Sequence, residues 1–356
     1  LVFQKSGNAT INSFTATADD EDIGEILFAG VNTAPASVDC AYILVKQDGS
    51  AGGTYIGADM AFQVGTNAAA PTTKLLLDGN SRISLSNNDS GDGNTIFGKN
   101  AGNAAGGDTD YNVFIGEDAG KLLTDTAINN IVIGYQAMDA ADRGESNNVA
   151  IGHSAMGSVD EVGNNSDANV AIGTNAILGG TGELSQNVAI GYNAMSSTDS
   201  SAQTGTIAVG TSALAALTTG AGNTAVGYQS LTALTTGANN VSIGGGALAQ
   251  HTTGDRNVAV GVDAMYLTDG DDNDAPDSDD NVAIGYRSMG GNWADHLKNT
   301  DNIAIGSYAL YGVLAAQVGT VAIGRSALAS LTSGAGNTAV GYNALSALTT
   351  GTKSVA

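Results

Sequence analysis

The chain has almost none of the residues that cross-link or heavily charge an ordinary globular protein. Its 356 residues include one Cys, three Pro, 5% aromatic and 13% charged residues, and that charged fraction is about half of the usual one. The single thiol, Cys40, excludes an intrachain disulfide framework, and we expect it to be a small buried residue. The solvated surface must therefore rely on Asn, Ser, Thr and Gly.

Long apolar runs and basic patches are also missing. No segment approaches the ~18 apolar residues of a membrane span, and no signal peptide opens the chain. There are 12 Lys and Arg against 35 Asp and Glu, a formal net charge of −23. So acidic a chain repels nucleic acid and anionic membranes, and we predict no nucleic-acid partner and no membrane insertion. Because it begins Leu1-Val2-Phe3 without Met, we expect a piece of a longer or processed polypeptide.

Glycine and a repeated phrase are abundant instead. Of 50 Gly, fourteen close a phrase of the form Asn-x-Ala-[Val/Ile]-Gly, and we call these the marker glycines. They are Gly98, Gly116, Gly134, Gly152, Gly173, Gly191, Gly210, Gly227, Gly244, Gly261, Gly285, Gly306, Gly324 and Gly341. Their spacings run from 17 to 24 residues, most often 17 or 18. Longer spacings indicate insertions after Gly152, Gly261 and Gly285.

Each column of the repeat predicts a local structure. One and three residues before the marker glycine, the residue is Val, Ile or Thr in all copies but one, and the residue between them is Ala in ten copies. In a strand, the β-branched residues share one face and the alanines point to the other. Three residues after the glycine the residue is Ala or Ser, and four after it the residue is Met, Leu or Ile in twelve copies, with Gly102 and Gly120 as the exceptions. Each unit is predicted to be a strand, a bend at glycine, a second short apolar segment and a turn.

Stacking must complete the core, because no unit this small can bury its own apolar face. We predict an all-β fold, a β-solenoid of about fourteen coils, about 65 Å long at one strand spacing per coil. Four residues before the marker glycine, twelve copies carry Asn, which predicts a hydrogen-bonded Asn ladder. Since both strand faces are apolar, we expect rods packed around an axis with the Ala face inward, as a homotrimer.

Two stretches, NTAVGYQSLTALTTGANN and GNTAVGYNALSALTTG, resemble repeats of bacteriophage tail fibres and related host-binding fibre proteins. The phrase NVAIG also resembles the head repeat of YadA-like trimeric autotransporter adhesins, a left-handed β-roll in a trimer. The resemblance covers about residues 94–351. It implies a left-handed β-roll, a homotrimer, and a fibre that attaches a virion to its host.

The first ninety residues differ in kind. Their apolar-polar alternation, ending in residues 74–80 (KLLLDGN), resembles the shaft module that precedes such repeats in phage fibres, without the Arg of the family's M-R-I-D-x-x-G phrase. We predict a β-rich shaft or connector module at 1–90 and the β-solenoid repeat domain at 91–356. Such fibres often end in a self-cleaving chaperone domain. Here the sequence stops within a repeat, at Thr352-Lys353-Ser354, so we expect such a domain to have been cleaved off or never present.

No arrangement of catalytic groups stands out. The three histidines, His153, His251 and His296, lack zinc-ligand spacing, and no Walker loop, dinucleotide fingerprint or nucleophile elbow occurs. We predict no enzyme activity, no catalytic residue and no cofactor. Five of the six Met share the column four residues after the marker glycine. Because Leu fills that column in other copies, we predict core filling there instead of a soft metal site.

The most acidic segment is the insertion at residues 269–280, which carries seven Asp. A solvated acidic loop is the default interpretation. Alternating Asp and Asn can also ligate calcium, although the EF-hand spacing with its terminal Glu is missing. The candidate calcium ligands are Asp271, Asn273, Asp277 and Asp279.

The residue directly after the marker glycine is variable, which suggests exposure. It is Tyr in five copies: Tyr135, Tyr192, Tyr228, Tyr286 and Tyr342. Tyrosines spaced along a rod can stack on sugar rings, or they can shield coil edges or a subunit seam. Trp293 lies in the insertion after Gly285, and loops on rigid scaffolds often carry recognition. We select Trp293 and Tyr286 as receptor-contact candidates, followed by the other four tyrosines.

The repeat pattern favours a structural protein, and the resemblance implies a host-recognising fibre in the tail of a phage particle, in contact with other tail proteins and a host glycan or protein. The alternative is the head of a bacterial cell-surface trimeric adhesin. A polysaccharide depolymerase needs paired carboxylates in a groove, whereas the Asp and Glu here lie mostly in turns and insertions. An ice-binding solenoid needs regular Thr columns, and full Thr-Thr pairs occur in only a few coils.

Overall fold

The computed structural model describes the strands within residues 3–84 and, beyond them, residues 93–105, 109–124, 126–141, 144–159, 166–179, 182–198, 203–267, 278–293 and 298–356. Throughout this part of the chain the regular structure is β-strand, joined by turns and bends, without a helix. The prediction of an all-β protein is therefore confirmed. The chain divides into two compact units, Leu1–Ser90 and Gly91–Ala356.

The first unit contains an antiparallel sheet of six strands that neighbour each other in chain order. The strands are β1 (Phe3–Gln4), β2 (Asp22–Val31), β3 (Ser37–Asp48), β4 (Gly57–Thr66), β5 (Ala69–Leu77) and β6 (Ile83–Ser84). Leu44 of β3 lies opposite Ala61 of β4, and both side chains are buried. Cys40 lies in β3, where the pairing with β2 shifts register, and its side chain lies outside the described residues.

The second unit contains a parallel sheet of fourteen strands, one for each copy of the repeat. The strands are β7 (Thr95–Phe97), β8 (Val113–Ile115), β9 (Ile131–Ile133), β10 (Val149–Ile151), β11 (Val170–Ile172), β13 (Val188–Ile190), β15 (Ile207–Val209), β16 (Thr224–Val226), β17 (Val241–Ile243), β18 (Val258–Val260), β19 (Val282–Ile284), β20 (Ile303–Ile305), β21 (Val321–Ile323) and β22 (Thr338–Val340). A separate parallel pair joins β12 (Leu184–Ser185) to β14 (Gln203–Thr204). This arrangement confirms the predicted β-solenoid repeat fold.

Register is held column by column. Ala150 of β10 lies opposite Ala171 of β11, and Ala171 lies opposite Ala189 of β13. A parallel ladder between identical short strands leaves like residues in contact, so each column becomes a row along the stack. Beyond β22 the row continues, because Val355 forms a parallel bridge to Thr338.

The central residue of each strand points into the coil. From Phe114 of β8 onward these side chains are fully buried, including Ala225 and Ala339. The flanking β-branched residues point outward and are only half-buried, as in β10 and β18. The expectation that the Ala face meets neighbouring subunits is therefore wrong. Each coil closes on itself, and its small central residue makes room for the second apolar segment of its own unit.

The second segment contributes large side chains to the core, and the residues that carry them adopt the left-handed (positive φ) backbone conformation. Met138, Met156 and Leu231 are fully buried and have φ of 46°, 53° and 51°. The left-handed conformation costs an L-residue about 1–2 kcal/mol, whereas full burial of Met or Leu contributes about 1.5–3 kcal/mol. Burial outweighs the strain, and the prediction that the Met column fills the core is confirmed.

The Asn ladder is also confirmed. Asn223 Oδ1 accepts hydrogen bonds from the backbone N of Asn240 at 2.9 Å and from its Nδ2 at 3.1 Å, and Asn240 Nδ2 also donates to Gly254 O at 2.8 Å. Asn257 repeats the first two contacts on Asn240. These amides are fully buried, so the ladder satisfies polar groups that the coil cannot expose to water.

The marker glycines allow the coils to approach each other. Gly227 has φ of 141°, and a Cβ there would lie 2.5 Å from Gly244 O in the next coil. Neither the backbone angle nor the space admits a side chain. Gly341 has φ of 134° but open space where its Cβ would be.

Candidate functional site

Three surfaces of the solenoid could bind something: an apolar face on the strands, a row of side chains at the bend that follows, and the charged surface near residue 280. The apolar face consists of the residues one and three positions before each marker glycine, and we call it the outer stripe. Among its residues, Ile243 is 42% exposed and Val340 is 59% exposed. No Lys, Arg, Asp or Glu interrupts the stripe from Thr95 to Val340.

The size of the outer stripe is unusual for a surface left in water. Fourteen strands at roughly 4.8 Å spacing, with a width of about 10 Å, give an area on the order of 650 Å². Monomeric proteins rarely expose contiguous apolar patches larger than a few hundred Å². The stripe therefore has the properties of a protein–protein contact surface.

Side chains directly after the marker glycines form a row at the bend. Neighbours in this row touch from coil to coil: Lys99 Nζ lies 2.8 Å from Glu117 Oε1, and the rings of Tyr135 and His153 stack at 5.4 Å and 9°. The five tyrosines of the row are exposed, as predicted. They are Tyr135, Tyr192, Tyr228, Tyr286 and Tyr342.

Tyr286 differs from the other four because it belongs to a group of three tyrosines. Its ring lies 5.4 Å from that of Tyr308 at an interplanar angle of 88°, and the ring of Tyr308 lies 5.3 Å from that of Tyr311 at 81°. The guanidinium carbon of Arg287 lies 5.5 Å from the centre of the Tyr286 ring. We call Tyr286, Tyr308, Tyr311 and Arg287 the tyrosine cluster.

Hydrogen bonds and charge order the tyrosine cluster. A side-chain hydrogen bond with Tyr286 raises the pKa of the Tyr308 hydroxyl, and partial burial raises it further. Arg287 Nε donates to Asp263 Oδ2 at 3.2 Å, which raises the pKa of the Arg287 guanidinium. Asp263, Arg287 and Tyr308 occupy the same column, two residues after successive marker glycines.

The sequence prediction found only one member of this cluster. Tyr308 and Tyr311 lie two and five residues after Gly306, outside the column directly after the marker glycines from which the candidate tyrosines were predicted. The signal was their density: in a chain with 5% aromatic residues, three Tyr fall within residues 286–311. Adding the 21-residue coil length from Gly285 to Gly306 to the position of Tyr286 gives Ser307, the chain neighbour of Tyr308.

Trp293 is not a surface residue. Its side chain is only 2% exposed and belongs to the core of the solenoid, and Trp293 N donates to Leu267 O at 3.1 Å. The expectation that Trp293 contacts a receptor is therefore wrong. A large aromatic ring contributes most to stability when its apolar surface is buried in the core.

Of the four proposed calcium ligands, only Asp279 lies within the described residues. Asp279 Oδ1 accepts from the backbone N of Asp255 at 2.8 Å, and Oδ2 lies 3.0 Å from Lys298 Nζ. Burial opposes its ionisation, but these donors and Arg256 together lower the pKa of the Asp279 carboxyl. Asp279 is thus an ion-pair partner and a backbone cap, and a calcium ion would have to displace Lys298. Asp271, Asn273 and Asp277 lie outside the described residues.

The neighbouring charges form a further contact between coils. Arg256 Nε and Nη2 donate to Asp280 Oδ1 and Oδ2 at 2.7 and 2.9 Å. This bidentate pair is solvent-exposed and follows the geometry that planar guanidinium and carboxylate groups prefer. Within the described residues, no group of three or more His, Cys, Asp and Glu side chains could hold a metal ion.

The histidines occupy unrelated environments. His153 is exposed and stacks on Tyr135, whereas His251 is fully buried, with Nε2 3.2 Å from Asn257 Nδ2. His296 lies outside the described residues. His153 lies on the surface of the coil and His251 in its interior, so the two do not meet.

Among the residues that the structure describes, no helix has the length and apolar character needed to cross a membrane. Comparison with known proteins found no matching family model, no matching curated protein and no matching solved structure.

Proposed function

We propose that the protein is a structural, host-recognising fibre of a phage particle, without enzyme activity, assembled as a homotrimer in the virion tail. The observation that carries the proposal is the outer stripe, an uncharged and largely apolar surface along the repeat structure. A rod of this kind provides length and a repeated contact surface, which is what a fibre requires. The sequence resemblance supplies the phage setting, the number three and the left-handed winding.

The spacing of the outer stripe favours a copy of the same chain as its partner. The stripe presents an apolar row every roughly 4.8 Å, and another solenoid with the same rise matches this row for row. The area, on the order of 650 Å², approaches the roughly 800 Å² per partner of a stable interface. In a chain of net charge −23, this uncharged face is where copies can meet without repulsion.

Aqueous exposure of the stripe would be costly. At about 25 cal/mol per Å², burying on the order of 650 Å² contributes about 16 kcal/mol per chain before the entropy cost of association. That cost is about 4–15 kcal/mol or more, so the buried area sets an upper limit on the gain and does not by itself give the affinity. The oligomer is therefore the form in which we expect the protein to work.

A bacterial cell-surface trimeric adhesin head is the alternative, because it would use the same stripe. The depolymerase and ice-binding interpretations have less support. The described carboxylates of Asp263, Asp279 and Asp280 are paired with Arg or Lys side chains. The hydroxyls of Thr218 and Thr235 donate to carbonyl oxygens of the next coil.

The experiment is a measurement of native mass by light scattering, with electron images of the native assembly. We expect the wild-type mass to be three times that of the protomer. Ile243→Asp combined with Ile284→Asp should lower it, because both changes place carboxylates in the outer stripe. The matched control is Val313→Asp, which charges an exposed apolar residue outside the stripe and should leave the mass unchanged.

The images then separate the settings. Threefold fibres attached to a virion or tail are expected, and rods anchored in a cell envelope would favour the adhesin instead. A wild-type protein with the mass of one protomer would overturn the assembly on which both depend.

A further inference from the structure

At the tyrosine cluster, charged and aromatic residues replace the small polar residues that most coils carry. In the column two residues after the marker glycine, most coils carry Asn, Gln or Ser, and three successive coils carry Asp263, Arg287 and Tyr308. Tyr192, Tyr228 and Tyr342 are exposed without an aromatic neighbour among the described residues. Within the described part of the chain, only the surface around Tyr286 gathers three phenol rings.

The rings are placed to hold a flat, partly apolar ligand. Tyr286 and Tyr308 are nearly perpendicular, as are Tyr308 and Tyr311, so the rings form corners instead of a closed stack. Tyr286 is 42% exposed. Each ring offers an apolar face beside a hydroxyl group that can donate or accept, and Arg287 adds guanidinium N–H donors at the edge.

The charges at and around the tyrosine cluster restrict the net charge that a ligand can carry. Arg287 already lies over the Tyr286 ring, so a cationic ligand would meet a like charge. Asp263 neutralises Arg287 locally, and the chain as a whole carries −23, so an anionic ligand is repelled. A neutral ligand with apolar faces and hydroxyl groups satisfies both conditions, and a pyranose ring has this character.

We propose that the tyrosine cluster is a binding site for a neutral carbohydrate, in which a pyranose ring stacks on the exposed tyrosine faces and its hydroxyls bond Arg287 and the phenol groups. The site deepens the proposed function and rests on it, because it names neutral glycans as the receptor class of the fibre. A protein receptor or an anionic glycan is an outcome that the test separates from it.

The test measures retention of the purified full chain on immobilised oligosaccharides. The probes are neutral oligomers of glucose, galactose, mannose and N-acetylhexosamines, with sialylated and uronate-containing counterparts. We expect the wild-type protein to be retained on at least one neutral oligomer. We expect a sialic acid or uronate group on the oligomer not to increase this retention. Retention on acidic members alone, or on no neutral member, overturns the proposal.

Variants drawn from the repeat itself keep the fold intact. Tyr308→Asn places in that column a residue that Asn193 and Asn343 already provide at φ of 53° and 56°, and Tyr286→Ser follows Ser307. Each should weaken retention at least ten-fold without changing native mass. Tyr192→Thr, at an isolated exposed Tyr, is the control and should retain wild-type binding.

Two further outcomes are decisive. If Tyr308→Asn and Tyr286→Ser bind as well as wild type, the glycan lies elsewhere and the site is wrong. If they lower the native mass, the cluster belongs to the subunit interface and the site is also wrong. A trimeric fibre that binds no neutral glycan would refute this site alone, whereas a protomeric wild type would refute the proposed function.

Discussion

The first coils of the solenoid and the coils in its middle enclose the same space with different side chains. In the middle, Ala225 at the strand centre and Leu231 in the second segment belong to the same core, and both are fully buried. Near the beginning, Phe114 occupies the strand centre, and the equivalent of Leu231 is Gly120. A Cβ on Gly120 would lie 2.5 Å from Cδ1 of Phe114.

The difference shows what the coil fixes and what it leaves free. The backbone is the same in both regions, because Gly120 has φ of 58° and Leu231 has φ of 51°. In the middle coils the large side chain belongs to the second segment and the small one to the strand. Near the beginning this is reversed. Interiors are packed to nearly constant density, so the filled volume is constrained and the identity of each residue is not.

The largest expected effect concerns the marker glycines, where the middle of the solenoid differs from its last coil. Gly227→Ala should cost more than about 4 kcal/mol, because its Cβ would lie 2.5 Å from Gly244 O. Gly341→Ala has a similar φ and open space, so it should cost only the backbone strain of about 1–3 kcal/mol. Denaturant unfolding of the two variants measures both.

Comparing Gly227→Ala with Gly341→Ala separates the effect of close contact between coils from the effect of the backbone angle φ. Equal losses at the two glycines would show that φ alone requires glycine, and close contact between coils would then not explain the column. A loss confined to Gly227→Ala would assign the requirement to the spacing of the coils.

A double-mutant cycle tests the exchange of volume directly. Phe114→Ala should cost about 3–5 kcal/mol by leaving a cavity, and Gly120→Met should cost about 1–3 kcal/mol or more by overfilling. Combined, they recreate the pairing of the later coils, so the double variant should be at least about 2 kcal/mol more stable than the sum predicts. Chemical denaturation of all four proteins provides the cycle.

Gly120→Met is a fair probe because the backbone already suits it. Met138 and Met195 adopt φ of 46° and 51° in the same column, close to the 58° of Gly120. Additive losses would mean that Phe114 and Gly120 do not share one space. Recovery is expected to be partial, because the ring of Phe114 also fills the space beside Gly102.

Sequence periodicity predicted the strands, the marker glycines, the Met column and the Asn ladder, since each is a local pattern repeated many times. It placed the alanines on one face and the β-branched residues on the other, but it assigned the wrong face to the outside. Period two shows that the faces differ, and only closure of the coil decides which one is enclosed. Val and Ile look like core residues by hydropathy, yet here they form the outer stripe.

The candidate site was predictable only where it followed a column. Tyr286 lies in the row after the marker glycine and was found, whereas Tyr308 and Tyr311 join it through the stacking of two coils of unequal length. Trp293 was misplaced for a related reason: a single aromatic residue in an insertion carries no periodic signal for inside or outside. Contacts made once, between irregular coils, leave no periodic pattern, and only the density of Tyr within residues 286–311 indicates them.

The smallest expected effect concerns the Asn ladder, at the two positions where Thr replaces Asn. Two coils carry Thr206 and Thr320 where the others carry a ladder Asn, and both hydroxyl oxygens are buried without a hydrogen-bond partner. Thr206 N still donates to Asn187 Oδ1 at 2.9 Å. Thr206 has no amide to pass the contact on to the next coil, so the ladder is interrupted there.

Thr206→Asn should therefore stabilise the protein by about 1 kcal/mol, the usual net contribution of one or two restored hydrogen bonds. The control is Thr211→Asn, an exposed position in the same coil, which should change stability by less than about 0.5 kcal/mol. Thermal unfolding of the two variants gives the comparison. A loss of stability in Thr206→Asn would mean that the coil around Thr206 is too tight for an amide, and that the Thr is selected for size in the same way that Gly120 is.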